Sequence, residues 1–145
     1  MKNLFFCSFF CLIANFVLAQ EAEVPKQLTK TFDRYSKAWV NRDWNRVFEI
    51  TAPEYQKILI KKHGSREVWA KNQETAFKDK ITQLERLKSY RIADDLFTFT
   101  VLTHGKRPSG IDFKVPGYAS FQFIEGNWYL IDPVIPKSLQ DPHSP

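Results

Sequence analysis

The chain has 145 residues, enough for one domain with one core. Its 21 Lys and Arg against 16 Asp and Glu give a net charge of +5. The positive charge is scattered, with its densest spots at Lys61-Lys62-His63 and Lys106-Arg107. Without a basic stripe, nucleic acid is excluded as an expected partner.

The chain opens with the pattern of a secretory signal. Lys2 supplies the positive start, Leu4 to Leu18 is an apolar run rich in Phe, and Val17-Leu18-Ala19 presents a peptidase motif. A membrane-spanning helix wants about 20 apolar residues. This run is shorter, so removal of 1–19 is expected and no stable membrane anchor remains. Cys7 and Cys11 each follow a Phe, which does not fit a lipoprotein site. Both lie in the removed run, so the mature chain has no disulfide, Cys metal site or Cys nucleophile. A small disulfide-free secreted domain suits a bacterial periplasm, the expected location.

Residues 20–27 read as a frayed leader. Leu28, Phe32, Tyr35, Trp39 and Val40 then share one face of a helix over about 25–41. Asp43 is placed to cap a short helix carrying Trp44, Val47, Phe48 and Ile50. Thr51 and Glu54 form a capping-box pattern, with Pro53 in the first turn of a third helix. Gly64 is a stop signal. Ser65 caps a fourth helical stretch, whose spacing continues from Val68 through Trp69, Ala76, Phe77 and Ile81 to Leu84.

From Leu87 the apolar period falls towards two. Strands are expected over 87–92 and 96–103, joined by a turn at Ala93-Asp94-Asp95. Phe97, Phe99 and Val101 share one face of the second. Residues 104–110 read as a polar loop, 111–115 as a short strand, and Pro116-Gly117 as a bulge or bend. Residues 118–124 and 128–131 form a hairpin around Glu125-Gly126-Asn127. Residues 135–145 are a Pro-rich tail. Helices first and antiparallel strands after give an α+β domain over 28–134. In it, N-terminal helices pack on a curved antiparallel sheet to form a cone with an open end.

Two stretches carry a family likeness. Phe32 to Phe48 joins an aromatic helix, a break ending in Asp43 and a short apolar helix. Tyr118 to Asp132 is a closing hairpin with the Gly126-Asn127-Trp128 turn. Together they resemble the nuclear transport factor 2-like (cystatin-like) superfamily, as a secreted bacterial member. The resemblance implies a cone that holds small apolar molecules or acids in some members and docks proteins in others. Fold does not fix function.

Within that resemblance, Tyr35 occupies the helix position that carries an oxyanion-stabilising Tyr in the family's steroid isomerases. Such chemistry also needs a carboxylate base and a protonated acid beside it. Glu54 and Asp112 are the residues near those positions. The competing reading makes Tyr35 a core aromatic with its hydroxyl at the cone mouth. A His104 pair with Asp94 or Asp95 would imitate the family's dehydratases. His63, His104 and His143 lack metal-motif spacing, and the five Gly do not cluster into a phosphate loop. No metal or cofactor is expected.

On the strands, Arg91, Thr98, Thr100, Ser120 and Gln122 either line the cone, with Arg91 as an anion anchor, or face outward. The expected pocket is Tyr35, Trp39, Arg91 and Trp128. It would take a small apolar or weakly acidic ligand in a non-enzymatic binding or protein-interaction domain. The alternative is a small acid–base isomerase or dehydratase with Tyr35 as donor. Homodimerisation through the sheet is a further expectation.

Overall fold

A computed structural model describes residues 22–132. The expected signal segment, His143 and the Pro-rich tail lie outside the described residues. The fold is α+β, with four helices followed by four antiparallel strands in one open sheet. No helix among the described residues is long and apolar enough to cross a membrane.

Helix α1 spans Lys26–Val40 and buries Leu28, Thr31, Phe32, Tyr35 and Ala38. It ends in a Schellman turn. The Asp43 N–H donates to Ala38 O at 2.8 Å and the Arg42 N–H to Trp39 O at 3.1 Å. The residue between the helix end and Asp43 must then be left-handed. Arg42 takes that conformation, with φ +56°. Asp43 at once caps α2 (Trp44–Ile50), its side chain accepting from Arg46 N at 3.0 Å.

Helix α3 (Pro53–His63) starts with Pro53 but without the expected capping box. Thr51 is fully buried and its hydroxyl donates to Val47 O at 2.9 Å instead. The backbone draws it there: Thr51 bridges to Leu130, and Ala52 N–H donates to Leu130 O. Gly64, at φ +92°, ends the helix as expected. Ser65 caps α4 (Arg66–Ala76) by accepting from Val68 N at 3.2 Å.

The helical spacing beyond Phe77 is a coincidence of period. α4 stops at Ala76, and Ile81 and Leu84 belong to β1 (Lys80–Ala93). β1 pairs with β2 (Leu96–Lys106), β2 with β3 (Asp112–Ile124), and β3 with β4 (Asn127–Asp132). The expected loop at His104 is thus part of β2. Pro116-Gly117 makes no bulge, because its register with Leu102 and Val101 is continuous. Among the described residues β4 pairs with β3 only as far as Ser120, and Pro116 lies beyond that pairing, a position that tolerates proline. Three irregularities fall instead on β1, at the edge of the described sheet, between Ile81 and Ala93, and a fourth falls on the β3–β4 pair at Ser120 and Phe121. Such bulges bend a strand and blunt its edge. Glu125 and Gly126, both at positive φ, turn the chain tightly from β3 to β4.

The inner sheet face carries Phe97, Phe99, Val101, Ala119, Phe121 and Leu130, all buried. Phe32 meets Phe99 edge-on at 5.2 Å between ring centroids, and Tyr35 meets Phe121 edge-on at 5.8 Å. On the opposite face Thr98 and Ser120 share a hydrogen bond of 2.8 Å. Phe99 is sealed by this stack, so Phe99→Ala is expected to lower the unfolding free energy by about 3–5 kcal/mol. Urea denaturation measures it, and a loss under about 1 kcal/mol would show that the stack collapses around the gap.

Candidate functional site

α1 covers only part of the inner face. Beyond Phe99 and Phe121, β2 and β3 run on through the opposed pairs Val101–Gly117, Thr103–Val115 and Gly105–Phe113. Over these residues lies a cavity of about 580 Å³. Its sheet wall is Ile81, Leu84, Val101, Thr103, Phe113, Val115 and Ala119. Its helical wall is Tyr35 and Trp39 from α1, Trp44 and Val47 from α2, Leu59, Lys62 and His63 from α3, and Trp69 and Gln73 from α4. Phe77 and Asp79 close it at the α4–β1 connection.

Small residues make the space. Gly117 and Ala119 withhold bulk from the sheet wall. Gly105 has a stricter role, because the Phe113 ring lies where its Cβ would be. That Cβ would also stand 2.9 Å from the Lys80 carbonyl oxygen. Only glycine lets Phe113 lie flat over β2.

Aromatic rings build the α4–β1 end. Trp39 meets Trp44 and Phe77 edge-on, each at 5.1 Å, and Trp44 stacks on Phe77 at 5.4 Å. Arg42 holds this corner. Its guanidinium donates to the Glu74 carboxylate at 3.0 Å, to Glu74 O at 2.9 Å and to Phe77 O. These carbonyls belong to the end of α4, where no intrahelical partner exists. The Trp44 indole donates to the same carboxylate at 2.7 Å. Together Arg42 and Trp44 hold the Glu74 carboxyl below its ordinary range.

Tyr35 is 6% exposed, and burial pushes its phenol well above the ordinary tyrosine value. The adjacent Trp39 side chain opposes this in part. Even so, Trp39 Nε1 is buried without a hydrogen-bond partner of proper geometry among the described residues.

Of the four expected pocket residues, the fold brings together Tyr35 and Trp39. Arg91 and Trp128 do not line this cavity. Arg91 pairs with Asp94 at 2.8 Å on an exposed turn. Trp128 packs against Phe97 and Phe123, at the other end of the sheet. The carboxylates near the isomerase positions also lie elsewhere. Glu54 pairs with Lys57 and Asp112 with Lys106. His104 bonds Glu85 at 2.9 Å rather than Asp94 or Asp95, and Asp95 accepts from Gln122. Trp44, Trp69, Phe77, Phe113 and Val115 were legible as apolar positions but not as cavity wall. Among the described residues no cluster of His, Cys, Asp or Glu is arranged to hold a metal ion.

No protein-family model matches the chain, and no curated protein matches it. Solved structures do. A SEC-C motif containing protein from Psychrobacter arcticus superposes with a TM-score of 0.58 at 15% identity, over 83% of this chain and 67% of that one. The solution structure of a SEC-C motif containing protein from Rhodopseudomonas palustris gives 0.51 at 19% identity, over 66% and 68%. At such identities the likeness is one of fold. It corrects the resemblance to the nuclear transport factor 2-like superfamily: the structural neighbours are SEC-C motif containing proteins, and nothing ties the chain to that superfamily directly.

Two predictions follow from this geometry. Arg42→Gly relaxes a left-handed backbone, yet it removes the guanidinium. Hydrogen exchange at Phe77 and the last turn of α4 is therefore expected to rise; unchanged protection would show that the ring stack holds the corner alone. The second concerns pH. The unfolded Tyr35 phenol ionises near pH 10, while the folded one stays protonated. Stability from this group is thus complete below about pH 10 and is lost as pH rises through the folded value. Thermal melts from about pH 8 to 11 should fall less steeply for Tyr35→Phe; parallel curves would contradict it.

Proposed function

We propose that this protein is a secreted, periplasmic binding domain that takes a small, mainly apolar molecule in the cavity between α1–α4 and the sheet. The observation that carries this reading is the cavity itself, about 580 Å³ walled by Trp39, Trp44, Trp69, Phe77, Leu84 and Val101. Ligand sites are typically concave, largely apolar spaces of roughly 300–1,000 Å³ with a few polar groups. In this reading the helices and the bent sheet act as the wall of a cone, and Lys62, His63 and Asp79 mark its polar side.

Binding is favoured over the isomerase reading by where that reading's own carboxylates lie, although Asp79 and His63 do line the cavity. An isomerase needs two titratable groups beside a common reacting atom. Glu54 and Asp112 pair with lysines outside the cavity. The Tyr35 phenol, held neutral by burial, serves better as a fixed donor than as a proton shuttle.

The test is binding of a neutral apolar fluorophore, N-phenylnaphthylamine, to the folded protein. Saturable one-to-one binding is expected. Thr103→Trp fills the space from the sheet wall and should weaken binding about tenfold or more. Absence of binding, or equal affinity in the filled variant, would overturn the reading.

A further inference from the structure

Helix α3 buries no residue, although Tyr55, Ile58 and Leu59 follow helical spacing. Leu59 lines the cavity, but Tyr55 and Ile58 stay 40% and 58% exposed. Lys62, one turn beyond Ile58, completes this stripe and also borders the cavity. Lys61 stands three residues from Ile58, on its other flank. Three lysines against one glutamate leave α3 positive. Lys57 pairs with Glu54 at 2.7 Å, whereas Lys61 and Lys62 make no ion pair among the described residues. Single exposed apolar residues are ordinary, and lysines in a last turn suit the helix dipole. Neither fact accounts for an exposed Tyr–Ile pair set one turn before two unpaired lysines at the rim of an apolar cavity. Contact surfaces for folded proteins favour aromatic residues and arginine and are poor in lysine. A helix lying on lipid combines apolar residues at the acyl boundary with lysines at the level of the phosphates. Tyrosine suits that boundary, with an apolar ring and a polar tip.

We propose that α3 docks on an anionic lipid surface through Tyr55, Ile58, Lys61 and Lys62. The contact is peripheral, since no helix among the described residues is long and apolar enough to cross a membrane. It sets the cavity rim, at Leu59, Lys62 and His63, against the lipid. An apolar ligand then passes between bilayer and cavity without crossing bulk water. That route rests on the cavity reading above; the docking itself does not.

Sedimentation of the folded protein with vesicles of mixed phosphatidylglycerol and phosphatidylcholine, against phosphatidylcholine alone, tests the docking without any cavity ligand. Binding to the anionic vesicles is expected, and it should weaken as salt rises. Lys61→Gln should weaken it about fivefold. Ile58→Ser should weaken it about tenfold. Both residues are exposed, so both variants keep the fold. Lys106→Gln, in the other basic spot, should leave binding unchanged. Absence of binding to anionic vesicles overturns the proposal. So does equal binding to both vesicles, or binding that survives Lys61→Gln and Ile58→Ser, the result if the apolar run at 4–18 were the attachment. An equal loss in Lys106→Gln reduces the effect to general charge and also overturns it. If Ile58→Ser instead splits a dimer, a second copy covers this face and the proposal falls. None of these outcomes touches fluorophore binding, which tests the cavity separately.

Discussion

The Arg42 guanidinium reaches from the turn after α1 to the carboxylate and carbonyl of Glu74 and on to the carbonyl of Phe77. One side chain thereby joins the α1–α2 break to the end of α4 and the approach to β1. That junction lies beside the cavity corner formed by Trp39, Trp44 and Phe77. Its backbone conformation is unusual for a residue with a side chain, and a left-handed non-glycine residue costs about 1–2 kcal/mol. Glycine would satisfy the Schellman turn more cheaply. Arginine at this position couples a local helix stop to a long-range tie that glycine cannot make.

The α3–α4 pair depends on few such ties. α3 buries no residue and α4 buries only Trp69. Trp69 packs on Phe48 at 5.4 Å, and Arg66 reaches Asn45 and Glu49 on α2. Exposed ion pairs are weak and screened by salt. α3 and α4 therefore lean on the body mainly through side-chain ties (Trp69 on Phe48, the Trp44 indole to Glu74, Gln56 to the Phe48 and Thr51 carbonyls, and Arg42 and Arg66), whereas α1 is locked to the sheet by Phe32 and Tyr35. Such uneven attachment leaves a space that a well-packed core would have closed.

Much of the fold was legible because its signals are local. Asp43, Gly64 and Ser65 mark helix ends through bonds made within a few residues. The alternation of Phe97, Phe99 and Val101 puts them on one face, and the structure shows that this face is the inner one. What misled was information that only the tertiary structure holds. Ile81 and Leu84 continue a helical spacing by accident, yet they line the cavity from a strand. Thr51 offers a cap, but its pairing with Leu130 takes it elsewhere. Trp128 and Arg91 lie away from this cavity, each for its own reason. Strand alternation tells which face Trp128 occupies but not how far along the sheet the space opens. Trp128 lies beside Phe97, at the start of β2, and the cavity lies beyond Val101. Arg91 was read as an anion anchor, and the nearby Asp94 takes its charge.

The central claim is that the cavity is filled by a molecule from the protein's surroundings. Native mass spectrometry of the full chain purified from its own cells tests it most directly. A reproducible small mass on the folded protein, absent from Thr103→Trp, is the expected result. A bare mass for the wild type, or an adduct retained by the filled variant, would contradict it.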